Sequence, residues 1–200
     1  MNKYEFSKIL KHKHKNQIIY VNHYHLFSSS FRKFQESFES SHVRKVFIQD
    51  GNFGPFRKNV SPFLDWAPHS FGIIFNMFKS KLISFHYSKK LIKRDNDIEI
   101  MVLKFLFIFS SGQKAFVKIG NGFKERKNKI SISLNNNKNI IFENNIFNLN
   151  QKLINKNVPK PMENLLQEFY NSIISKTCNN TSFDIAKKTS NFIFNNSIKY

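Results

Sequence analysis

Residues 113–142, QKAFVKIGNGFKERKNKISISLNNNKNIIF, carry the clearest strand pattern in the chain. KAFVKI at 114–119 reads as a strand ended by GNG. KISISL at 129–134 places Ile130, Ile132 and Leu134 on one face and Ser131 and Ser133 on the other, the period-two alternation of a half-buried strand. NNNK turns the chain into NIIF. Three antiparallel strands in so short a span form a minimal sheet, and such a sheet holds only if a helix covers its apolar face. Two segments offer the cover. After Pro159 and Pro161, the residues Leu165, Leu166, Phe169, Tyr170, Ile173 and Ile174 recur at helical spacing, with Pro161 suited to a first turn. A second helix starts at Thr181 or Ser182, with Asp184 favourable near its positive end.

Upstream, Phe27, Phe31, Phe34 and Phe38 fall on one helical face, and VRKVFIQ at 43–49 reads as a strand stopped by DGNFGP. Pro62, Trp66 and Pro68 make 59–70 a loop. FGIIFNMFKSKLISFHY at 71–87 shows a helical stripe, although its second half fits a strand equally well. SKKLIKRDND at 88–97 reads as a polar connection, and IEIMVLKFLFIF at 98–109 is a buried helix or a buried strand. Residues 1–26, with KHKHK and HYH, read as a basic aromatic arm. The expected architecture is therefore α+β: the arm, a first module at 27–109 and a second at 110–200, each a small antiparallel sheet covered by a helix.

Thirty-two Lys and Arg against thirteen Asp and Glu leave a formal charge of +19, which calls for a polyanionic partner. The lone Cys178 excludes a disulfide framework and a cysteine-rich zinc site. His12, His14, His23 and His25 are weak metal candidates without acidic or sulfur company, and no metal or cofactor is expected. The longest apolar run is twelve residues and contains Glu99 and Lys104, short of the roughly 20 residues of a spanning helix. Twenty-seven Lys, 26 Asn, 24 Phe and 23 Ile make up half the chain, against 3 Ala and 5 Arg. That bias suits a very AT-rich organellar gene, and the start, which has Glu5 and lacks arginine, does not look like a transit peptide. A mitochondrial, organelle-encoded protein is the expectation.

There is no glycine-rich phosphate loop, HExxH, GxSxG or paired-carboxylate signature, so the chain is read as a non-enzyme without a small-molecule substrate. An RNA-processing nuclease, the enzymatic alternative, would rest on Asp95, Asp97 and Asp184. Lys114, Lys118, Lys124, Arg126, Lys127 and Lys129 crowd the GNGFKERKNK segment. Such a loop can track a phosphate backbone, with Phe123 stacking on a base or sugar.

The same segment resembles the strand, GxGY/F, basic turn and strand pattern of the large-subunit ribosomal protein six family, carried here by Gly120, Gly122, Phe123 and the alternating Ile130, Ile132 and Leu134. SIISK at 172–176, FDIAKK at 183–188 and SIKY at 197–200 are similar to that family's later strand, helix and terminal segment. The resemblance implies a divergent mitochondrial member. It would be a structural constituent of the large subunit, made of two related modules and bound to ribosomal RNA and neighbouring ribosomal proteins. It also implies that 172–176 is a strand and that the preceding helix stops near Tyr170. Lys187, Lys188 and Lys199 complete the expected RNA-binding set. Another or lineage-specific mitochondrial ribosomal protein is the alternative.

Overall fold

The computed structural model describes residues 3–14, 17–58, 60–95, 98–144, 146–149, 152–153, 159–177 and 179–196. In chain order the elements are α1 (Lys3–His12), α2 (Tyr24–Phe27), α3 (Ser29–Glu36), a short 3-10 turn (Ser40–His42), β1 (Val43–Phe53), α4 (Pro62–Met77), β2 (Leu82–Asp95) and β3 (Ile98–Phe109). They continue with β4 (Lys114–Gly120), β5 (Gly122–Leu134), β6 (Asn139–Glu143), β7 (Ile146–Leu149), β8 (Lys152–Leu153), α5 (Pro161–Ser175) and α6 (Thr181–Asn195).

All the strands join one eight-stranded sheet of order β2-β3-β4-β1-β5-β6-β7-β8. This corrects the expectation of two small antiparallel sheets, because strands from both halves of the chain interleave. The decisive departure is β1. It lies between β4 and β5, parallel to the first (Val46 beside Ala115) and antiparallel to the second (Val46 beside Ile132). KAFVKI and KISISL are therefore not a hairpin. The chain steps from β4 to β5 across the end of β1, and glycines permit that step. A Cβ on Gly51 would lie 2.6 Å from the Gly120 carbonyl oxygen, and Gly120 has φ +139°. The Gly54 N–H donates to the Asn121 carbonyl at 3.0 Å and ties the crossing down.

One face of the sheet is dry. Ile48, Phe105, Phe107, Val117, Ile130 and Phe142 are buried beneath helices. The main cover is α4, whose Phe63, Ala67, Phe71 and Ile74 recur at helical spacing and are fully buried. It begins at Pro62, inside the segment read as a loop. Ser61 caps it by accepting from the Phe63 N–H at 3.3 Å, and Pro68 stands within the helix. The apolar stripe thus outweighs the loss of one backbone donor at Pro68. Phe71 contacts Phe105, Phe107 and Phe192 at ring separations of 5.1, 5.0 and 5.7 Å, so α6 reaches the core through Phe192. At the other end of the sheet, Phe31 and Phe34 of α3 pack on Phe142 at 5.4 and 5.3 Å.

Of the two helices expected to cover the sheet, α5 does not. It lies against α2 and leaves Leu166, Tyr170 and Ile174 exposed. It continues through residues 172–175, so the strand implied there by the ribosomal resemblance is a helix. SIKY at 197–200 and Cys178 lie outside the described residues. Residues 98–109 form a strand, and the polar run after residue 87 continues β2 as an edge strand to Asp95.

The arm is docked on the helical side. The Tyr20 hydroxyl meets the Ser172 hydroxyl at 2.9 Å, and the Val21 N–H donates to Ser182 Oγ at 3.2 Å. Arg32 donates to Glu168 at 2.5 Å and to the Leu26 carbonyl at 2.6 Å. His23 and His25 are buried near His69 of α4. Burial, with the His69 charge adding to it, lowers their pKa to about 4 and about 3.

Candidate functional site

Away from the helices, the sheet presents residues in rows that follow the register across the strands. One row runs Ser88, Lys104, Lys118, Gln49, Lys129 and Glu143. The next row toward one strand end runs Lys90, Val102, Gly120, Gly51 and Lys127. On the opposite side of the lysine row lie Leu106, Phe116, Phe47 and Ile141, where Phe47 and Phe116 stack at 4.8 Å with an interplanar angle of 8°.

The paired glycines Gly120 and Gly51 leave a notch in the second row, and the Phe123 ring fills it. A Cβ on Gly51 would collide with that ring. Phe123 is only 6% exposed, and the Lys118 ammonium lies 5.1 Å from its ring centre. The ring therefore has the backbone of Gly51 against it and Lys118 above it, which positions the ammonium through a cation–π contact.

Around the notch is a groove of about 1030 Å³ whose walls include Phe53, Lys90, Ile92, Val102, Lys104 and Lys124. Gly122 matters here because a Cβ on it would strike Ile92 of the opposite wall. Two cations of the groove are already matched. Lys127 donates to Glu125 at 2.5 Å; this hydrogen bond and the opposite charge raise the lysine's pKa and lower the carboxylate's. Lys89 lies 3.4 Å from Glu99. Burial works against ionisation of Glu99, yet the hydrogen bond from Arg94 and the charge of Lys89 hold its pKa below the usual value. Lys90, Lys104, Lys118 and Lys124 have no ion pair among the described residues, so the groove is a concave cationic site with an apolar floor.

Of the ten residues expected to bind RNA, the groove gathers Lys118, Phe123, Lys124 and Lys127. Phe123 is a buried support and not a stacking platform. Lys114 stands beside Lys45, on the far side of the Phe47–Phe116 pair. Arg126 acts on Asp50, and Lys129 pairs with Glu143 at 3.2 Å. Lys187 and Lys188 belong to α6 on the helical side, and Lys188 rests over Phe75 at 5.1 Å. Lys199 lies outside the described residues, as does Asp97. Lys90, Lys104 and Phe53 were not anticipated. Lys104 did leave a signal, being the one basic residue in IEIMVLKFLFIF. Among the described residues no group of three or more His, Cys, Asp or Glu is placed to hold a metal ion, and no helix is long and apolar enough to cross a membrane.

No family model and no curated protein matches the chain. Solved structures do. An oxidoreductase from Thermotoga maritima is similar at TM-score 0.71 and 15% identity, covering 96% of this chain and 64% of that one. UDP-N-acetylglucosamine 3-dehydrogenase from Acidithiobacillus ferrooxidans is similar at TM-score 0.72 and 9% identity, covering 94% and 64%. The chain shares the fold of these structures. A 3-ketoreductase from Actinomadura kijaniata, solved with TDP-benzene and NADP, shares it at TM-score 0.69 and 10% identity over 94% and 62% of the two chains. This chain spans less than two thirds of the length of each of these structures.

The likeness overturns the resemblance to ribosomal protein six, whose strand–turn–strand signature is here a crossing over β1. The structural ribosomal role falls with it. So do the ribosomal RNA and ribosomal-protein partners, the non-enzymatic reading and the exclusion of a small-molecule substrate, because the proteins sharing the fold are dehydrogenases and reductases.

Proposed function

We propose that this chain is the sheet domain of an oxidoreductase and that its lysine groove holds a small anionic substrate. The observation that carries the reading is the set of four lysines without ion pairs, Lys90, Lys104, Lys118 and Lys124, converging on one concave site. Convergent polar groups over an apolar floor are the usual makings of a small-molecule pocket. The dehydrogenase and ketoreductase names of the structures sharing the fold support a reaction at an alcohol or carbonyl carbon. Lys104 and Lys118, side by side on neighbouring strands, would anchor the substrate's anionic group. An ammonium held in place by Phe123 would also stabilise negative charge developing on a substrate oxygen.

Such chemistry calls for a nicotinamide dinucleotide, and the turn from β1 into α4 does not fit its pyrophosphate. There Pro62 offers no N–H, Ser61 already occupies the cap, and Asp65 places a carboxylate in the first turn, 3.4 Å from Arg57. No hydride step is assigned to residues of that turn.

Titration calorimetry with phosphorylated and neutral sugars tests the reading. Saturable binding of the phosphorylated sugars alone, weakened by salt and by Lys104→Gln or Lys118→Gln, is expected. Failure of every small anion to bind would remove it. The AT-biased composition supports a mitochondrial, organelle-encoded origin as a further part of the proposal, which subcellular fractionation tests.

A further inference from the structure

Resting on that reading, we infer that the groove takes a nucleoside diphosphate, with the diphosphate on the lysine rows and the base on Phe53. The lysines without ion pairs stand in two rows, Lys104 and Lys118 in one and Lys90 in the next. Adjacent rows on one face are two residues apart along the strands, about 7 Å. Two linked phosphoryl groups span more of that separation than a single one does. Lys124 adds a further cation on the same wall. Glu125 is the acid that opposes them in the groove lining, and Lys127 neutralises it.

The second half of the argument is aromatic. Phe123 is unavailable for stacking, having Gly51 against it and Lys118 above it. Phe53, at the end of β1 on the groove wall, is 63% exposed, and its contact with Phe56 is edgewise at 5.1 Å and 85°. An aromatic ring kept in water beside unpaired cations gains by stacking on a flat heterocycle. A sugar phosphate offers the ring only a C–H face, whereas a base offers a planar π-face. The nucleoside diphosphate could belong to a nucleotide-linked substrate or to the dinucleotide itself. Both share this chemistry.

The test compares UDP, pyrophosphate and uridine by titration calorimetry on the whole chain at constant ionic strength, followed by competition of UDP with UDP-glucose and with NADP+. UDP should bind about tenfold more tightly than pyrophosphate, the contribution of one stacked base. Phe53→Ala should abolish that advantage while leaving pyrophosphate affinity unchanged, and Phe53→Leu should do the same with the apolar volume largely kept. Lys118→Gln should weaken both ligands. Displacement by UDP-glucose assigns the site to a substrate nucleotide, and displacement by NADP+ assigns it to the dinucleotide. Equal affinity for UDP and pyrophosphate, or a Phe53→Ala protein that still prefers UDP, would overturn the inference while leaving the small-anion reading intact. If pyrophosphate, UDP and sugar phosphates all fail to bind, both fall.

Discussion

Lys118 and Phe123 form a supported pair: the ammonium lies 5.1 Å from a ring that is itself seated against Gly51. The groove's charge is therefore placed by backbone shape as much as by side-chain type. Gly51→Ala should show this, because the new methyl group would meet both the Phe123 ring and the Gly120 carbonyl. A loss of about 2–4 kcal/mol in urea unfolding is expected, as for other overpacked or strained core sites. Unchanged stability would mean that the notch is not filled as described.

The buried histidines predict an acid-sensitive fold. His23 and His25 titrate near 4 and 3 when folded, against 6.5 in an unfolded chain. Below pH 6.5 the unfolded state takes up protons that the folded state refuses. Stability is therefore full above about pH 6.5 and falls as pH drops toward 4, by roughly 3 kcal/mol per histidine at the 1.36 kcal/mol that one pKa unit represents. Urea midpoints from pH 7.5 to 4.5 measure the slope. His25→Phe, suited to the surroundings of Phe31 and Tyr24, should flatten it.

Asp50 acts in the opposite sense. Burial raises its pKa to about 6, only partly offset by Asn128 and Arg126. Above pH 6 the folded state holds a desolvated carboxylate. As pH falls from 6 toward 3.8, the folded state binds a proton that the unfolded state does not, and the penalty disappears. Asp50→Asn should stabilise the protein by about 1–3 kcal/mol at pH 7.5, with the gain fading by about pH 4. An equal gain at both pH values would contradict the raised pKa.

Asn121 completes the ladder where β4 ends. Its side-chain oxygen accepts from the Met101 N–H at 3.0 Å, and its amide donates to the Glu99 carbonyl at 2.8 Å. At 3% exposure, removing it strands two backbone groups. Asn121→Ala should cost about 2–4 kcal/mol, and hydrogen exchange at Met101 should accelerate.

What the sequence revealed was local. Alternation exposed the strand character of 114–119 and 129–134, and Pro161 marked the start of α5. Pairing was beyond reach: neighbours in sequence are the default partners in a sheet, and nothing in KAFVKI or KISISL announces that β1 stands between them. Pro62 and Pro68 disguised the first turns of α4, where burial of Phe63 and Ala67 overrides the proline signal. SKKLIKRD read as a connection because β2 is an edge strand, where lysine is favoured. The site was half legible for the same reason. Charge density marked Lys118, Lys124 and Lys127, but Lys90, Lys104 and Phe53 join them only through the register, which periodicity in one segment does not encode.

The central position of β1 also sets an order of events during synthesis. Val46 leaves the ribosome long before Ala115 and Ile132, its neighbours on either side. Until those residues are made, both edges of β1 stay unpaired, and the apolar side chains of α4 have only the β2–β3 hairpin to lie on. Closing so long a loop before any contact rewards it slows folding and prolongs exposure of sticky strand edges. A released chain that ends near residue 109 should therefore depend on chaperones and be readily digested by protease, whereas one that includes β4, β5 and α6 should resist.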